Sequence, residues 1–182
     1  MSALLVKRCC AAALALGLAA SALAQPRAAG EAELKAAFAY RIALFVEWPA
    51  ESLPAGAPFQ ICSAGNDAAW TAAFAALDGK KVQGRPLAPL RAVLRDDELR
   101  GCQLLFVPQR EGRKAPPAAA GLLSIGESEG FAAAGGVVGF VREGTQLRFD
   151  INRDAAARAQ LRLSAELLKV ARGVIDGAGA RP

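Results

Sequence analysis

The sequence contains no histidine, one tyrosine and one methionine in 182 residues. Without histidine, the chain lacks the usual general base, the usual partner of a serine or cysteine nucleophile and the commonest metal ligand. It also has no G-x-G-x-x-G, G-K-[ST] or C-x-x-C pattern, which are signatures of nucleotide binding and thiol redox catalysis. We therefore expect a protein that is not an enzyme and has no catalytic residues, no cofactor and no metal.

Long apolar runs are also missing. The apolar segment at residues 9–18 is shorter than the roughly 20 residues that a membrane-spanning helix needs. It follows Lys7 and Arg8 and precedes the small residues Ala22 to Ala24, which is the pattern of a secretory signal peptide. The sequence therefore predicts a signal peptide over residues 1–24 and an exported, periplasmic protein that begins at Gln25.

The charge is close to balanced. The formal net charge is +5, and removal of residues 1–24 takes away two basic residues, which leaves +3. The remaining Lys and Arg residues are mixed with acidic residues rather than clustered among aromatic ones, so we expect no nucleic-acid binding. Residues 25–182 contain no repeat or long linker, and their number matches one domain of common size.

Two helices are predicted to bracket this domain. In the first, over residues 31–48, a buried stripe consists of Leu34, Phe38, Ile42 and Phe45, and Pro49 ends the helix. The second is capped by Asn152 and has a core face and a basic face. Its core face consists of Ala156, Ala159, Leu163, Leu167, Val170 and Val174, and its basic face of Arg158, Arg162, Lys169 and Arg172.

Short apolar segments alternate with helix-like segments between these two helices. The predicted strands are 59–64, 86–93, 103–107 and 122–125, and the helix-like segments are 68–77 and 96–99. A hairpin of residues 137–142 and 145–151, turning at Glu143-Gly144, follows them. This order predicts an α/β fold, a three-layer sandwich with a mixed, largely parallel sheet and helices on both faces.

The exported domain would keep two cysteines, Cys62 in one predicted strand and Cys102 at the start of another. Disulfides persist in oxidising compartments, and an even number of cysteines in an exported chain favours a bond between them. In the alternative, both are small buried hydrophobic residues whose Cα atoms are more than about 7 Å apart, which would prevent a bond.

Two surfaces are candidates for binding a partner or a ligand. In open α/β sheets, ligands bind beyond the carboxyl ends of parallel strands, which here include Glu127 and Ser128. These two residues, with Arg148 and Ile151, form the first candidate surface. The second is the basic face of the last predicted helix, represented by Arg158 and Arg162. The alternatives are ordinary turn residues for the first surface and a solvated helix face for the second.

Several short motifs occur in a fixed order along the chain. They are KAAFAYRIALFVEWP, FQICSAG, GRPL, CQLLFV, LLSIGESEGFAAAGG, LRFDIN and LRLSAELLKVA. In this order they resemble the YfiR family, whose members restrain membrane-bound diguanylate cyclases from the periplasmic side. The resemblance implies a bond between Cys62 and Cys102 that responds to reducing conditions, and an inhibitory contact in the C-terminal half of the fold. Some relatives have a second cysteine pair, where this sequence has Gly139 and Phe140.

The resemblance thus implies a periplasmic regulator that binds the periplasmic region of an inner-membrane diguanylate cyclase, inhibits it and lowers cyclic-di-GMP. Trp48 and Arg85 lie in the shared motifs and would be a core anchor and an ion-pair partner, or recognition residues. A second class of protein fits as well, a small-molecule-binding module that reports to another membrane receptor such as a sensor kinase. A third is a thiol oxidoreductase. A homodimer and a small-molecule effector stay open.

Overall fold

The computed structural model describes residues 25–111 and 119–176, with side chains from Gly30 onward. The predicted signal peptide, over residues 1–24, lies outside the described residues. The helices are α1 (Gln25–Ala43), α2 (Ala68–Ala75), α3 (Arg153–Arg158) and α4 (Ala165–Val170). Two short 3-10 helices span Asp96–Leu99 and Gln109–Glu111.

Eleven strands lie within the described ranges. They are β1 (Val46–Glu47), β2 (Ile61–Ala64), β3 (Lys81–Val82), β4 (Arg85–Pro86), β5 (Arg91–Val93), β6 (Leu104–Val107), β7 (Leu123–Gly126), β8 (Val138–Glu143), β9 (Gln146–Asn152), β10 (Arg162–Leu163) and β11 (Gly173–Ile175).

Seven of these strands form a central sheet in the order β11-β9-β8-β7-β6-β2-β5. All neighbouring strands are parallel except β8 and β9, which form an antiparallel hairpin. The short, fully buried strands β2, β6 and β7 are typical of a parallel sheet that is covered on both faces. The predicted α/β sandwich with a mixed, largely parallel sheet is confirmed.

One face of the sheet, which we call the helix side, packs against the α-helices. Ile61, Phe106 and Ile125 project from it into a core that also contains Trp70 and Phe74 of α2. The Trp70 ring lies 4.3 Å from the Phe106 ring between centroids. The alanines of α1 and the buried residues of α3 and α4 belong to the same core. Burial of apolar surface therefore holds this layer together.

The opposite face, which we call the disulfide side, has a smaller core. Cys62, Leu105 and Val107 project from this face and meet Leu99 of the first 3-10 helix and Phe131. Phe131 lies in a turn-rich segment between β7 and β8. Its ring occupies the space where a Cβ atom on Gly126 or Gly136 would collide with it. These two glycines thus leave room for an aromatic ring directly on the sheet.

The first predicted helix is too long, and its predicted buried stripe is only half right. α1 ends at Ala43, before Pro49, and β1 begins at Val46. Ile42 is buried and Phe38 packs against the core, but Leu34 and Phe45 are exposed, and most of the side chains that face the core are alanines. Small side chains allow α1 to approach the core closely. The buried residues are Ala32, Ala36, Ala39, Ile42 and Ala43.

The second predicted helix is two short helices with a strand between them. Asn152 caps α3 as predicted, because its Oδ1 accepts a hydrogen bond of 2.8 Å from the backbone N–H of Ala155. The helix ends soon afterwards, and Gln160 has a positive φ of 58°, which an α-helix excludes. β10 then pairs antiparallel with β1. The first helix prediction therefore fails at β1 and the second fails at β10, and these two strands pair with each other.

The strand predictions differ from the structure in two further details. The predicted strand 86–93 is divided, because Pro86 ends β4, which pairs with β3, while β5 pairs with β2. The hairpin is present, but its turn lies at Gly144-Thr145, one residue later than predicted. Gly144 has a φ of 59° there, which glycine adopts without strain.

Two residues of the shared motifs fix the loop that follows β1. The indole N–H of Trp48 donates to the carbonyl of Gly121 at 2.9 Å, and its ring lies edge-on against Phe59. The Arg85 guanidinium donates to the carbonyls of Leu53, Pro54 and Ala57. Trp48 is thus an anchor, and within the described residues Arg85 binds backbone oxygens rather than a carboxylate.

Candidate functional site

Three strand ends meet the N-terminal half of α1 at one edge of the sheet. The parallel strands β2, β6 and β7 end side by side, and Asp67, Gln109 and Glu127 follow them. With Lys35 and Trp70, these residues line a crevice of about 250 Å³. It lies at the position predicted from the sequence, beyond the carboxyl ends of the parallel strands.

A largely buried ion pair lies in this crevice. Lys35 Nζ donates a short hydrogen bond to Glu127 Oε1, and their side chains are 14% and 7% exposed. Lys35 Nζ also lies 2.7 Å from Glu31 Oε1, and that oxygen accepts a hydrogen bond of 2.6 Å from Arg142 Nη2. Glu127 Oε2 accepts a hydrogen bond of 3.0 Å from the backbone N–H of Gln109. The network connects α1 to β8 and to the loops after β6 and β7.

These contacts shift two pKa values in opposite directions. Burial alone would lower the pKa of Lys35, but the hydrogen bonds and charges of Glu127 and Glu31 outweigh burial, so the pKa is raised. The hydrogen bond from Lys35 lowers the pKa of Glu31; burial opposes this shift, and Arg142 adds to it. Both shifts favour the charged form. Lys35 and Glu31 are therefore both ionised at neutral pH.

The polar groups of the crevice bind one another. Asp67 caps α2, accepting a hydrogen bond of 2.7 Å from the backbone N–H of Ala69, and Lys35 binds two carboxylates. The volume is slightly below the range of about 300–1,000 Å³ that is usual for small-molecule sites. A charged ligand would have to displace existing ion pairs. The arrangement fixes α1 against the sheet.

The structure joins Cys62 and Cys102 in a disulfide, with Cα atoms 5.9 Å apart. This confirms the predicted bond. Cys62 lies in β2 and Cys102 precedes the neighbouring strand β6, so the bond connects the two strands through side chains. Arg91 Nη2 lies 2.9 Å from Cys102 Sγ and donates at 2.8 Å to the carbonyl of Arg100.

The residues of the first predicted surface do not share one environment. Glu127 lies in the crevice, and Ser128 follows it at the start of the turn-rich segment. Arg148 lies in the middle of β9, opposite Val141 of β8. Ile151 is completely buried in the core, so it is not a surface residue.

The predicted basic helix face does not exist as a continuous stripe. Arg158 ends α3, Arg162 lies in β10, 4.0 Å from a carboxylate oxygen of Glu47, and Lys169 lies in α4. Arg172 Nε donates at 2.9 Å to Asp150 Oδ1. The four cations lie on separate elements because the long helix that would align them is absent.

Sequence reasoning identified Glu127 but missed its partner. Lys35 is the first residue of the first shared motif, and it is the only lysine in α1. No sequence signal sets Lys35 apart, because α1 carries other charged residues as well. Its burial, and with it the need for a carboxylate partner, follows only from the packing of the helix. Glu31 and Arg142 were missed for the same reason, since their pairing depends on the packing of α1 near β8.

Two features are absent from the part of the chain that the structure describes. Residues 25–111 and 119–176 contain no group of three His, Cys, Asp or Glu side chains that could hold a metal ion. In the same ranges, none of the helices has the length and apolar character needed to cross a bilayer.

The fold and these contacts define a class of protein, an α/β sandwich whose second core layer carries a disulfide. A family match makes this assignment specific. Residues 32–172 match the family DUF4154, described as YfiR/HmsC-like, and the chain therefore belongs to this family. It is a family of periplasmic regulatory proteins. None of the curated proteins compared with the chain matches it.

Proposed function

We propose that this protein is exported to the periplasm, where it binds the periplasmic region of an inner-membrane diguanylate cyclase and holds the cyclase inactive. The observation that carries this proposal is the YfiR/HmsC-like match over residues 32–172. The absence of histidine throughout the chain supports a binding role rather than a catalytic one. The consequence in the cell is a lower concentration of cyclic-di-GMP.

The proposed mechanism is a shift in the conformational equilibrium of the cyclase. A bound protein shifts such an equilibrium only by the difference in its affinity for the two states. To change an equilibrium from 99% active to 99% inactive, the protein must bind the inactive state about 10⁴-fold more tightly. It therefore has to recognise a feature of the cyclase that exists only in the inactive state.

The disulfide provides a way to control this binding. Reduction of the bond between Cys62 and Cys102 would remove a cross-link of the thinner core layer, and the population of folded, binding-competent protein would fall. Repression would then weaken under reducing conditions. This part of the proposal is separable from the binding itself, because a strain that lacks both cysteines tests it.

The proposal is tested by deleting the gene and measuring cellular cyclic-di-GMP by mass spectrometry. We expect the concentration to rise on deletion and to return to its original value when the wild-type gene is restored. A double variant, Cys62→Ala with Cys102→Ala, should restore it poorly. As a matched control, a chain without residues 1–24 should not restore it, because this chain is not exported. An unchanged concentration in the deletion strain would refute the proposal.

The residues predicted for the contact are a separate question. Glu127, Ser128, Arg148, Arg158 and Arg162 stay predictions, as do a homodimer and a small-molecule effector. Single alanine variants of Ser128, Arg148, Arg158 and Arg162, compared in the same strain, test four of them. The Glu127 variant needs its melting temperature measured alongside, because it leaves Lys35 without one of its carboxylates. Ile151 is omitted because its substitution would disrupt the core.

The second candidate function is a small-molecule-binding module that reports to another receptor, with its ligand in the crevice at the strand ends. Its volume is about 250 Å³, and it is lined by both charges and the Trp70 ring. A metabolite that binds only the folded protein raises its melting temperature. A thermal-shift screen on wild type and Lys35→Met tests this function, and a shift that disappears in the variant would support it.

A further inference from the structure

α1 has two apolar faces, and the face with the larger side chains points outward. The inward face consists of Ile42 and four alanines, Ala32, Ala36, Ala39 and Ala43. On the outward face, Leu34 is 49% exposed, and in the turn that follows the helix Leu44 and Phe45 are 44% and 45% exposed. Scattered exposed apolar residues are ordinary, but a contiguous group on one element indicates an interaction surface.

The outward residues follow the spacing of a helix-packing seam. Leu34, Phe38, Arg41 and Phe45 are separated by four, three and four residues, which is the spacing of coiled-coil contact positions. At a rise of 1.5 Å per residue, this seam is roughly 17 Å long. Phe38 is half-buried against the core, and its ring is held in place by an edge-on contact with Phe140, with centroids 6.5 Å apart. The seam is thus partly preorganised.

The charge within the seam constrains what can bind. Arg41 is exposed, and among the described residues its side chain has no hydrogen bond or ion pair. Lys35 and Arg142, near the other end of α1, bind carboxylates. An occupant that covers Arg41 removes it from water, and this is unfavourable unless the occupant offers a carboxylate.

The charge of Arg41 also disfavours binding of a second copy of the chain at this seam. In a parallel pair of seams, Arg41 would face the Arg41 of the other copy. In an antiparallel pair centred on the seam, Arg41 would face Phe38, so the two guanidinium groups would be only about 4.5 Å apart along the axis. Like charges so close repel each other. The seam therefore fits a different helix better than it fits itself.

We propose that the outward face of α1 and of the turn that follows it, formed by Leu34, the half-buried Phe38, Arg41 and Phe45, binds an amphipathic helix of the regulated partner. This helix has an apolar stripe with matching spacing and a carboxylate that faces Arg41. The inference rests on the proposed function, and it identifies the surface by which that function is performed.

The test uses single variants of the full chain expressed in the deletion strain, with cellular cyclic-di-GMP as the readout. Leu34→Glu places a charge in the apolar stripe, and Arg41→Glu places a negative charge opposite the carboxylate, so each should weaken binding about tenfold or more and leave cyclic-di-GMP high. Arg41→Lys should keep repression. Leu94→Glu is the matched control, since it adds the same charge at an exposed apolar residue away from α1.

A folding defect is distinguished by the melting temperature of each purified variant, which we expect to match wild type because the substituted side chains are exposed. If wild type restores low cyclic-di-GMP and both glutamate variants do so equally well, the seam inference is wrong and the proposed function stands. If wild type has no effect, the proposed function fails, and the seam inference fails with it.

Photo-crosslinking in intact cells tests the nature of the occupant. A photoreactive phenylalanine at Phe45 should crosslink to a helical segment of a cyclase that contains Asp or Glu within the seam, and the same group at Leu94 should not. A crosslink between two copies of this chain would overturn the proposal in favour of a homodimer. A crosslinked segment without an acidic residue would overturn the role of Arg41.

Discussion

The two faces of the central sheet are stabilised in different ways. The core that includes the helix side contains 28 buried hydrophobic residues among those described, whereas the core of the disulfide side contains nine. The larger core has stacked aromatic rings and four α-helices against it. The smaller core has a disulfide and Phe131, which sits over two glycines. Where burial provides less stability, a covalent bond and one tightly fitted ring replace a helix.

Breaking the disulfide is the strongest test of this comparison. In the chain-entropy account, a bond that closes a loop of 40 residues contributes about 4 kcal/mol. This is a large part of the 5–15 kcal/mol that stabilises a typical domain. We expect reduction of the wild type, and the double variant Cys62→Ala with Cys102→Ala, to lower the free energy of unfolding by about this amount in urea titrations. Reduction of the double variant is the control and should change nothing. Equal stability of oxidised and reduced wild type would contradict the comparison.

The fit of Phe131 is the next largest effect. Phe131→Ala should lower the free energy of unfolding by about 3 kcal/mol, because it removes most of the apolar side chain that covers the disulfide side. Gly126→Ala should lower it by about 2 kcal/mol in wild type, since the new Cβ would collide with the ring. In the Phe131→Ala background the same Cβ has room, so Gly126→Ala should change the free energy of unfolding very little. A double-mutant cycle in urea measures this coupling, and additive costs would show that the ring does not rest on Gly126.

The ion pair of Lys35 tests the helix side of the sheet, where α1 meets the strand ends. Lys35→Met should lower the free energy of unfolding by about 2 kcal/mol at neutral pH, because Glu127 stays buried without its cation. Lys169→Met is the matched control, since Lys169 is exposed and has no ion pair within the described residues. Urea titrations of both variants and wild type measure the difference.

The same variant has a predictable pH dependence. The raised pKa of Lys35 gives stability that is complete below its ordinary value of 10.5 and is lost as the pH rises through the folded value. The lowered pKa of Glu31 gives stability that is present above its ordinary value of 4.5 and is lost as the pH falls through the folded value. The difference between wild type and Lys35→Met should therefore be widest between these limits. If the stability difference between the two proteins instead grows at low or at high pH, the ion-pair network does not stabilise the fold as described.

Much of the fold could be predicted from the sequence, because strands and caps are local features. The short apolar runs around Cys62 and Leu105 became parallel neighbours, and Asn152 caps a helix as expected. The pairing of β1 with β10 could not be predicted in this way. It joins segments more than 100 residues apart, and local periodicity carries no information about such a contact.

The orientation of α1 was not predicted correctly, for a different reason. Its sequence has two apolar stripes, and periodicity shows that both exist without showing which one faces the core. We assigned the stripe of Leu34, Phe38, Ile42 and Phe45 to the interior because these residues recur at spacings of four and three. The structure buries Ile42 together with four alanines and leaves Leu34 and Phe45 exposed. At the candidate site, Glu127 was predicted from its position after a strand, but Lys35 depends on this orientation and was therefore missed.

The smallest predicted effect tests whether α1 is held by packing alone. Gly30 lies within α1, and a Cβ atom there would meet nothing within 4 Å. Gly30→Ala should stabilise the protein by about 0.5–1 kcal/mol, because alanine favours the helix and restricts the unfolded chain. Gly144→Ala is the matched control: its site is equally open, but its φ of 59° strains any residue with a Cβ, so we expect a loss of about 1 kcal/mol. Urea titration measures both. If Gly30→Ala has no effect while Gly144→Ala destabilises the protein, the first turns of α1 are not helical in solution. In that case α1 begins closer to Lys35.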